Sequence, residues 1–117
     1  MDRVAVIGAG QMGNGIAHVF GASGFDVVMI DIAQSALDKG RATIEKNMAR
    51  QVQKGTLDAA ARDAALERIG TTTDRGAVRE RTLIIEAASE NAALKFDLFA
   101  ELDGLAPDGA ILATNTS

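Results

Sequence analysis

Arg3-Val4-Ala5-Val6-Ile7-Gly8-Ala9-Gly10-Gln11-Met12-Gly13 changes its periodicity at Gly8. The first five residues form a short, almost unbroken apolar run, as expected of a central parallel strand buried on both faces. Beyond Gly10 the residues Met12, Ile16, Val19 and Phe20 recur at helical spacing. They predict an amphipathic helix over Gln11 to Ser23 with those four side chains on its core face, and Gly24 supplies a left-handed stop. A strand, a glycine turn and a helix in that order leave free amide N–H groups and the positive end of a helix dipole beyond the strand's carboxyl end. That is where phosphate binds well. Gly8 permits the tight turn, Gly10 lets a pyrophosphate approach the backbone, and Gly13 lets the helix lie close to the strand.

The glycine spacing alone is weak evidence, but its context is complete. Asp26-Val27-Val28-Met29-Ile30 reads as a second buried strand and ends at Asp31. A carboxylate there, about 20 residues after the turn, accepts hydrogen bonds from the adenosine ribose hydroxyls of a dinucleotide. A 2′-phosphate would meet a like charge, and neither Ile32 nor Ala33 supplies a cation. The expected cofactor is therefore NAD and not NADP.

Working outward, Leu37, Ile44, Met48 and Val52 predict a helix over Gln34 to Lys54, broken at Gly55. Leu57, Ala61, Ala65, Leu66 and Ile69 predict a second over Leu57 to Ile69. The pair forms a helical hairpin at about 34–69, inserted into the βαβ pattern and expected to project, solvated and rich in charge. Thr71-Thr72-Thr73 is a third strand by its β-branching. A short helix follows at Arg75 to Arg79, a strand at Thr82 to Ala87, a helix at Asn91 to Leu102, a turn at Pro107-Asp108-Gly109 and a last strand at Ala110 to Thr114. Met12, Met29 and Met48 fall in apolar patterns and are expected in the core. Glu86 is odd in a buried run. Alternation of strands and helices implies an α/β fold, a doubly wound Rossmann-type parallel sheet of order 3-2-1-4-5, as one domain over 1–117.

Composition narrows the function. With 47% apolar and 24% charged residues the chain can bury a core. A net charge of −4 and only 3% aromatics argue against a nucleic-acid surface. Without cysteine there is no disulfide framework, thiolate zinc site or thiol nucleophile. One histidine, His18, cannot build a multi-histidine metal site, and it is expected on the surface. No apolar run approaches the roughly 20 residues of a membrane span, and a strand beginning at Arg3 leaves no room for a signal peptide. The expected setting is reducing and cytoplasmic.

Four stretches in order, Val6-Ile7-Gly8-Ala9-Gly10-Gln11-Met12-Gly13-Asn14-Gly15-Ile16-Ala17, residues 43–52, Ile85-Glu86-Ala87-Ala88-Ser89-Glu90-Asn91 and Thr114-Asn115-Thr116-Ser117, resemble the NAD domain of 3-hydroxyacyl-CoA dehydrogenases, the bacterial 3-hydroxybutyryl-CoA type above all. The resemblance spans essentially the whole chain. It implies an oxidoreductase that uses NAD to oxidise the 3-hydroxyl of an acyl-CoA and runs the reverse reduction. It also implies residue roles. Gly8, Gly10 and Gly13 line the pyrophosphate with Gln11 and Met12 beside it, and Asp31 takes the ribose. Glu90 and Lys95 lie near the nicotinamide half. Asn115 and Ser117 follow the fifth strand, with Ser117 bonding the substrate oxygen. Asn47 and Lys54 touch the CoA moiety.

The family also carries a mostly helical second domain, and its histidine base, the glutamate that orients it and an assisting asparagine match positions beyond Ser117. Removing a hydroxyl proton needs a base of near-neutral pKa, and these residues offer only His18, on another element. The expectation is NAD binding with little turnover, a missing helical domain or companion chain, and self-association through an exposed strand edge. Other readings are a stand-alone NAD-binding module, another Rossmann dehydrogenase of the 3-hydroxyisobutyrate or 6-phosphogluconate type, or an FAD protein. The long hairpin disfavours the other dehydrogenases.

Overall fold

A computed structural model of the chain describes residues 3–87, 101–102 and 104–114. Five parallel strands make one sheet: β1 (Arg3–Ile7), β2 (Asp26–Ile30), β3 (Ile69–Thr72), β4 (Leu83–Glu86) and β5 (Ile111–Thr114). Their order is β3-β2-β1-β4-β5, as the sequence predicts. Strand β1 is central, with Val4 opposite Val27 on one side and Leu83 on the other. That position explains its unbroken apolar run, since Val4, Ala5 and Val6 are all fully buried.

Helices α1 (Gln11–Ala22), α2 (Gln34–Gln53) and α3 (Ala59–Arg68) connect the first three strands. They cover the sheet face that carries Val4, Val6, Val27 and Met29. Ala5, Ile7, Val28, Ile30 and Ile84 face the other way and pack with Val78 and Leu102. Val78 belongs to a short 3-10 helix, Arg75–Glu80, capped where the Gly76 amide donates to Asp74 Oδ1 at 2.8 Å. Residues 101–102 and 104–105 are helical; the remainder of the helix expected over 91–102 lies outside the described residues. The turn at Pro107-Asp108-Gly109 closes as expected, with the Ala110 amide donating to Pro107 O.

The structure corrects the sequence reading in four places. The fully buried face of α1 is Gly13, Asn14, Ala17 and Gly21; of the predicted row, Ile16 and Phe20 are partly buried against the core, and Met12 and Val19 are not in it. Met12 is 49% and Val19 62% exposed. The glycine turn brings the helix so close to β1 that only small side chains fit directly between them, so Ile16 and Phe20 pack at the border of the contact and Met12 and Val19 are turned outward. Second, the hairpin does not simply project. Leu37, Ile44 and Met48 of α2 are fully buried in the core, worth about 1.5–3 kcal/mol each, while α3 buries only Ala65 fully and residues 53–56 and 58–61 are exposed. Arg41 fastens it further, donating to Ile69 O and, at 3.0 Å, to Leu66 O. Third, Ile69 opens β3 instead of ending α3, and Thr73 falls outside the strand. Fourth, His18 is half-buried.

Candidate functional site

The site sits where β1 and β2 end. Gly8 has φ +107°, a conformation that favours glycine, and its amide donates to Ile30 O at 2.7 Å, tying the turn to β2. A Cβ on Gly13 would lie 1.9 Å from Gly8 O, so glycine there is obligatory for the close helix. Gly10 is different. Its φ of −67° and ψ of −170° suit any residue, and a Cβ on it would meet nothing within 4 Å. The fold does not require glycine at that position; the open space beside it accommodates a ligand. Helix α1 has no side-chain cap and no acidic residue in its first turn, which leaves the amides of Gln11 and Met12 to a bound anion.

Asp31 closes this arrangement. Its Oδ2 accepts from the Ala9 amide at 3.1 Å and its Oδ1 from the Ala33 amide at 3.0 Å. Each oxygen keeps acceptor capacity for a ribose hydroxyl, since a carboxylate can take about four hydrogen bonds. The residues present thus fit a dinucleotide: amides for the pyrophosphate, an open glycine beside them, and a side-chain acceptor for the ribose. Replacing Asp31 with alanine is expected to weaken NADH binding about 10-fold or more, and to cost about 1 kcal/mol of stability because the Ala9 amide loses its acceptor. Isothermal titration and thermal melts read the two effects separately.

Three residues of the site went unread in the sequence. Asn14, 8% exposed, donates from Nδ2 to Gly10 O at 2.8 Å and holds the turn. Gly40 of α2 lies so near that a Cβ on it would be 2.6 Å from Ala9 O. A glycine inside a long helical stretch is the signal that marks such an approach. Lys39, one residue before it, lines with Thr43, Gly10 and Asn14 a cleft of about 330 Å³ between the turn and α2.

Of the residues named from the sequence, Gly8, Gly10, Gln11, Met12, Gly13 and Asp31 come together here. Asn47 is half-buried on α2 and Lys54 is exposed at its C-cap. Glu90, Lys95, Asn115 and Ser117 lie outside the described residues. Glu86 is fully buried at the end of β4, in register with Ile7. Among the described residues no group of His, Cys, Asp or Glu could hold a metal ion.

The family described as 3-hydroxyacyl-CoA dehydrogenase, NAD binding domain, matches residues 3–117. The chain belongs to this family. Curated relatives of the 3-hydroxyacyl-CoA dehydrogenase NAD-binding domain include the 3-hydroxybutyryl-CoA dehydrogenase of Bradyrhizobium diazoefficiens, 44% identical over 117 residues, which are 100% of this chain and 40% of that protein. The corresponding Mycobacterium tuberculosis protein is 42% identical over 118 residues, covering 100% of this chain and 41% of the relative. Among solved structures, (S)-3-hydroxybutyryl-CoA dehydrogenase from Ralstonia eutropha superposes with a TM-score of 0.96 at 38% identity, over 100% of this chain and 41% of that one. The chain thus spans about two fifths of the length of these relatives. A Rossmann-type NAD-binding domain of 3-hydroxyacyl-CoA dehydrogenase is what the sequence predicted, and family membership sets aside the FAD and other-dehydrogenase readings.

Proposed function

We propose that this chain is the NAD-binding part of an enzyme that interconverts 3-hydroxyacyl-CoA and 3-oxoacyl-CoA. The observation that carries the reading is the open, uncapped mouth of α1 with Asp31 bonded to the same turn, in a chain that matches the family over residues 3–117. When bound, NAD supplies the hydride acceptor, or in its reduced form the donor. The chain's own residues bind and orient it. Amides at Gln11 and Met12 meet the pyrophosphate, Asp31 meets the ribose, and Glu90, Lys95 and Asn115 are assigned by resemblance to its nicotinamide half. Ser117 would hydrogen-bond the substrate oxygen, and Asn47 and Lys54 would touch the CoA moiety.

On their own these residues are expected to bind NAD with little turnover. Proton removal from the 3-hydroxyl needs a base, and His18, the one histidine, sits half-buried in the third turn of α1. The acyl-CoA, a helical domain or companion chain, and further copies of this chain are the partners proposed. Support for association comes from Ile111, 63% exposed on β5, which pairs with β4 alone among the described strands. A reducing, cytoplasmic setting fits a chain without cysteine.

Titration with NADH and NADPH tests the cofactor. NADH is expected to bind at least 10-fold more tightly, because a 2′-phosphate would face the Asp31 carboxylate. Equal or tighter NADPH binding would refute the assignment. Acetoacetyl-CoA added to the NADH complex is expected to give little oxidation at 340 nm, and a rate typical of the longer relatives would overturn that part.

A further inference from the structure

Asn14 is an unexpected residue for its place. It is 8% exposed and lies inside α1, where asparagine is a poorer helix former than alanine and a buried carboxamide must be bonded to be tolerated. Its Nδ2 donates to Gly10 O at 2.8 Å. Only the nitrogen end of a carboxamide can face a carbonyl oxygen, so this partner fixes which way the side chain points. The Asn14 backbone amide donates to the same oxygen at 2.9 Å. One residue thereby fills both acceptor sites of the Gly10 carbonyl. Helix α2 closes over the pair at Gly40, where a Cβ would lie 3.5 Å from Asn14 Cβ and 2.6 Å from Ala9 O.

The consequence lies on the other edge of the same peptide. The Gly10–Gln11 bond is trans, so the Gly10 carbonyl and the Gln11 N–H share one plane and point in opposite directions. Holding the oxygen against α1 aims the Gln11 N–H out of the helix mouth. Gly10, with no side chain and open space around it, does not fix that plane by itself. A bonded carbonyl also polarises its peptide and strengthens the N–H as a donor. We propose that Asn14 is a positioning residue for the cofactor's pyrophosphate: through the Gly10 carbonyl it aims the Gln11 amide at the phosphate oxygens. This rests on the dinucleotide reading above, and adds a side chain acting through the backbone to a site otherwise built of main-chain groups and Asp31. Ligands that carry a diphosphate feel the loss of Asn14. A nucleoside held through its ribose by Asp31 does not.

The test follows NADH binding by fluorescence, with ADP and adenosine as competitors, for the wild type, Asn14→Ala and Asn14→Ser. Alanine removes the donor but is smaller and a better helix former, so the fold is kept, which a melting temperature within about 5 °C of the wild type checks. Serine in a helix donates from Oγ to the carbonyl four residues back, here Gly10 O, and restores the hold. Expected for Asn14→Ala are NADH and ADP dissociation constants raised about 10-fold, with adenosine within about twofold. Asn14→Ser is expected to recover NADH binding to within about threefold of the wild type. Unchanged NADH and ADP binding in Asn14→Ala would overturn the proposal. So would an equal loss for adenosine, the mark of a site disturbed as a whole, and so would a serine variant as weak as the alanine one. A wild type that binds ADP no better than adenosine would show that the mouth of α1 holds no diphosphate. That result sinks the dinucleotide reading and this proposal with it, whereas failure of the Asn14 variants alone leaves the reading standing.

Discussion

Replacing Gly10 with threonine is expected to weaken NADH binding about 100-fold while leaving the fold intact. The backbone at Gly10, φ −67° and ψ −170°, is open to any residue, and the space around its missing Cβ is empty to 4 Å. At a helix N-cap threonine is about as favourable as glycine, so the folded state loses little, within about 0.5 kcal/mol. The same side chain does two things to the ligand. Its methyl group occupies the approach to the backbone, and its hydroxyl oxygen accepts from the first-turn amides that a pyrophosphate would otherwise take. We expect the dissociation constant for NADH to rise about 100-fold, a loss of about 2.7 kcal/mol, with an unchanged melting curve. Tight binding in the variant would show that the mouth of α1 does not hold the phosphates. A collapsed melting curve would show that Gly10 is needed by the fold.

How much of this could be read from sequence follows from how local each cause is. Strands β1 and β2 are legible to the residue because both faces of a central parallel strand are buried, so the whole run is apolar and glycine or Asp31 ends it. The strand order follows because crossover connections have one hand. Boundaries slip where one residue satisfies two patterns. Ile69 fits the helical period of α3 and the apolar start of β3, and pairing with Val27 decides it. The face of α1 was half misread, right for Ile16 and Phe20 and wrong for Met12 and Val19, because hydrophobicity was taken to mark the buried side. At this turn distance sets the face instead, and distance favours Gly13, Ala17 and Gly21. Asp31 was legible as a ribose acceptor, but its bond to the Ala9 amide was not, since a contact 22 residues apart depends on how the strands align. Gly40 and Lys39 escaped for the same reason: their role appears only once α2 is laid against the turn.

Two glycines of α1, two residues apart, are expected to respond to alanine with opposite signs. At Gly13 the new Cβ would stand 1.9 Å from Gly8 O and 2.7 Å from Gly8 C, both backbone atoms of the turn that defines the site. Neither can yield as a flexible side chain would, so α1 must move off β1. At Gly15 the Cβ would meet nothing within 4 Å, and the position is exposed in the middle of the helix. Alanine at Gly15 therefore gains helix propensity alone, raising stability by about 0.5–1 kcal/mol. Alanine at Gly13 has the same propensity gain, but overpacking against backbone outweighs it, for a net loss of about 2–4 kcal/mol. In a domain of this size that lowers the melting temperature by roughly 10 °C or more. NADH binding separates the two further. Gly15→Ala should bind as the wild type does, whereas Gly13→Ala should lose affinity even at temperatures where it stays folded, because displacing α1 carries the Gln11 and Met12 amides away from the strand ends. Urea denaturation and NADH titration of the two variants measure both effects. A Gly13→Ala protein as stable as Gly15→Ala would mean that α1 does not need its close seat on β1, and the account of why Met12 and Val19 face outward would fall with it.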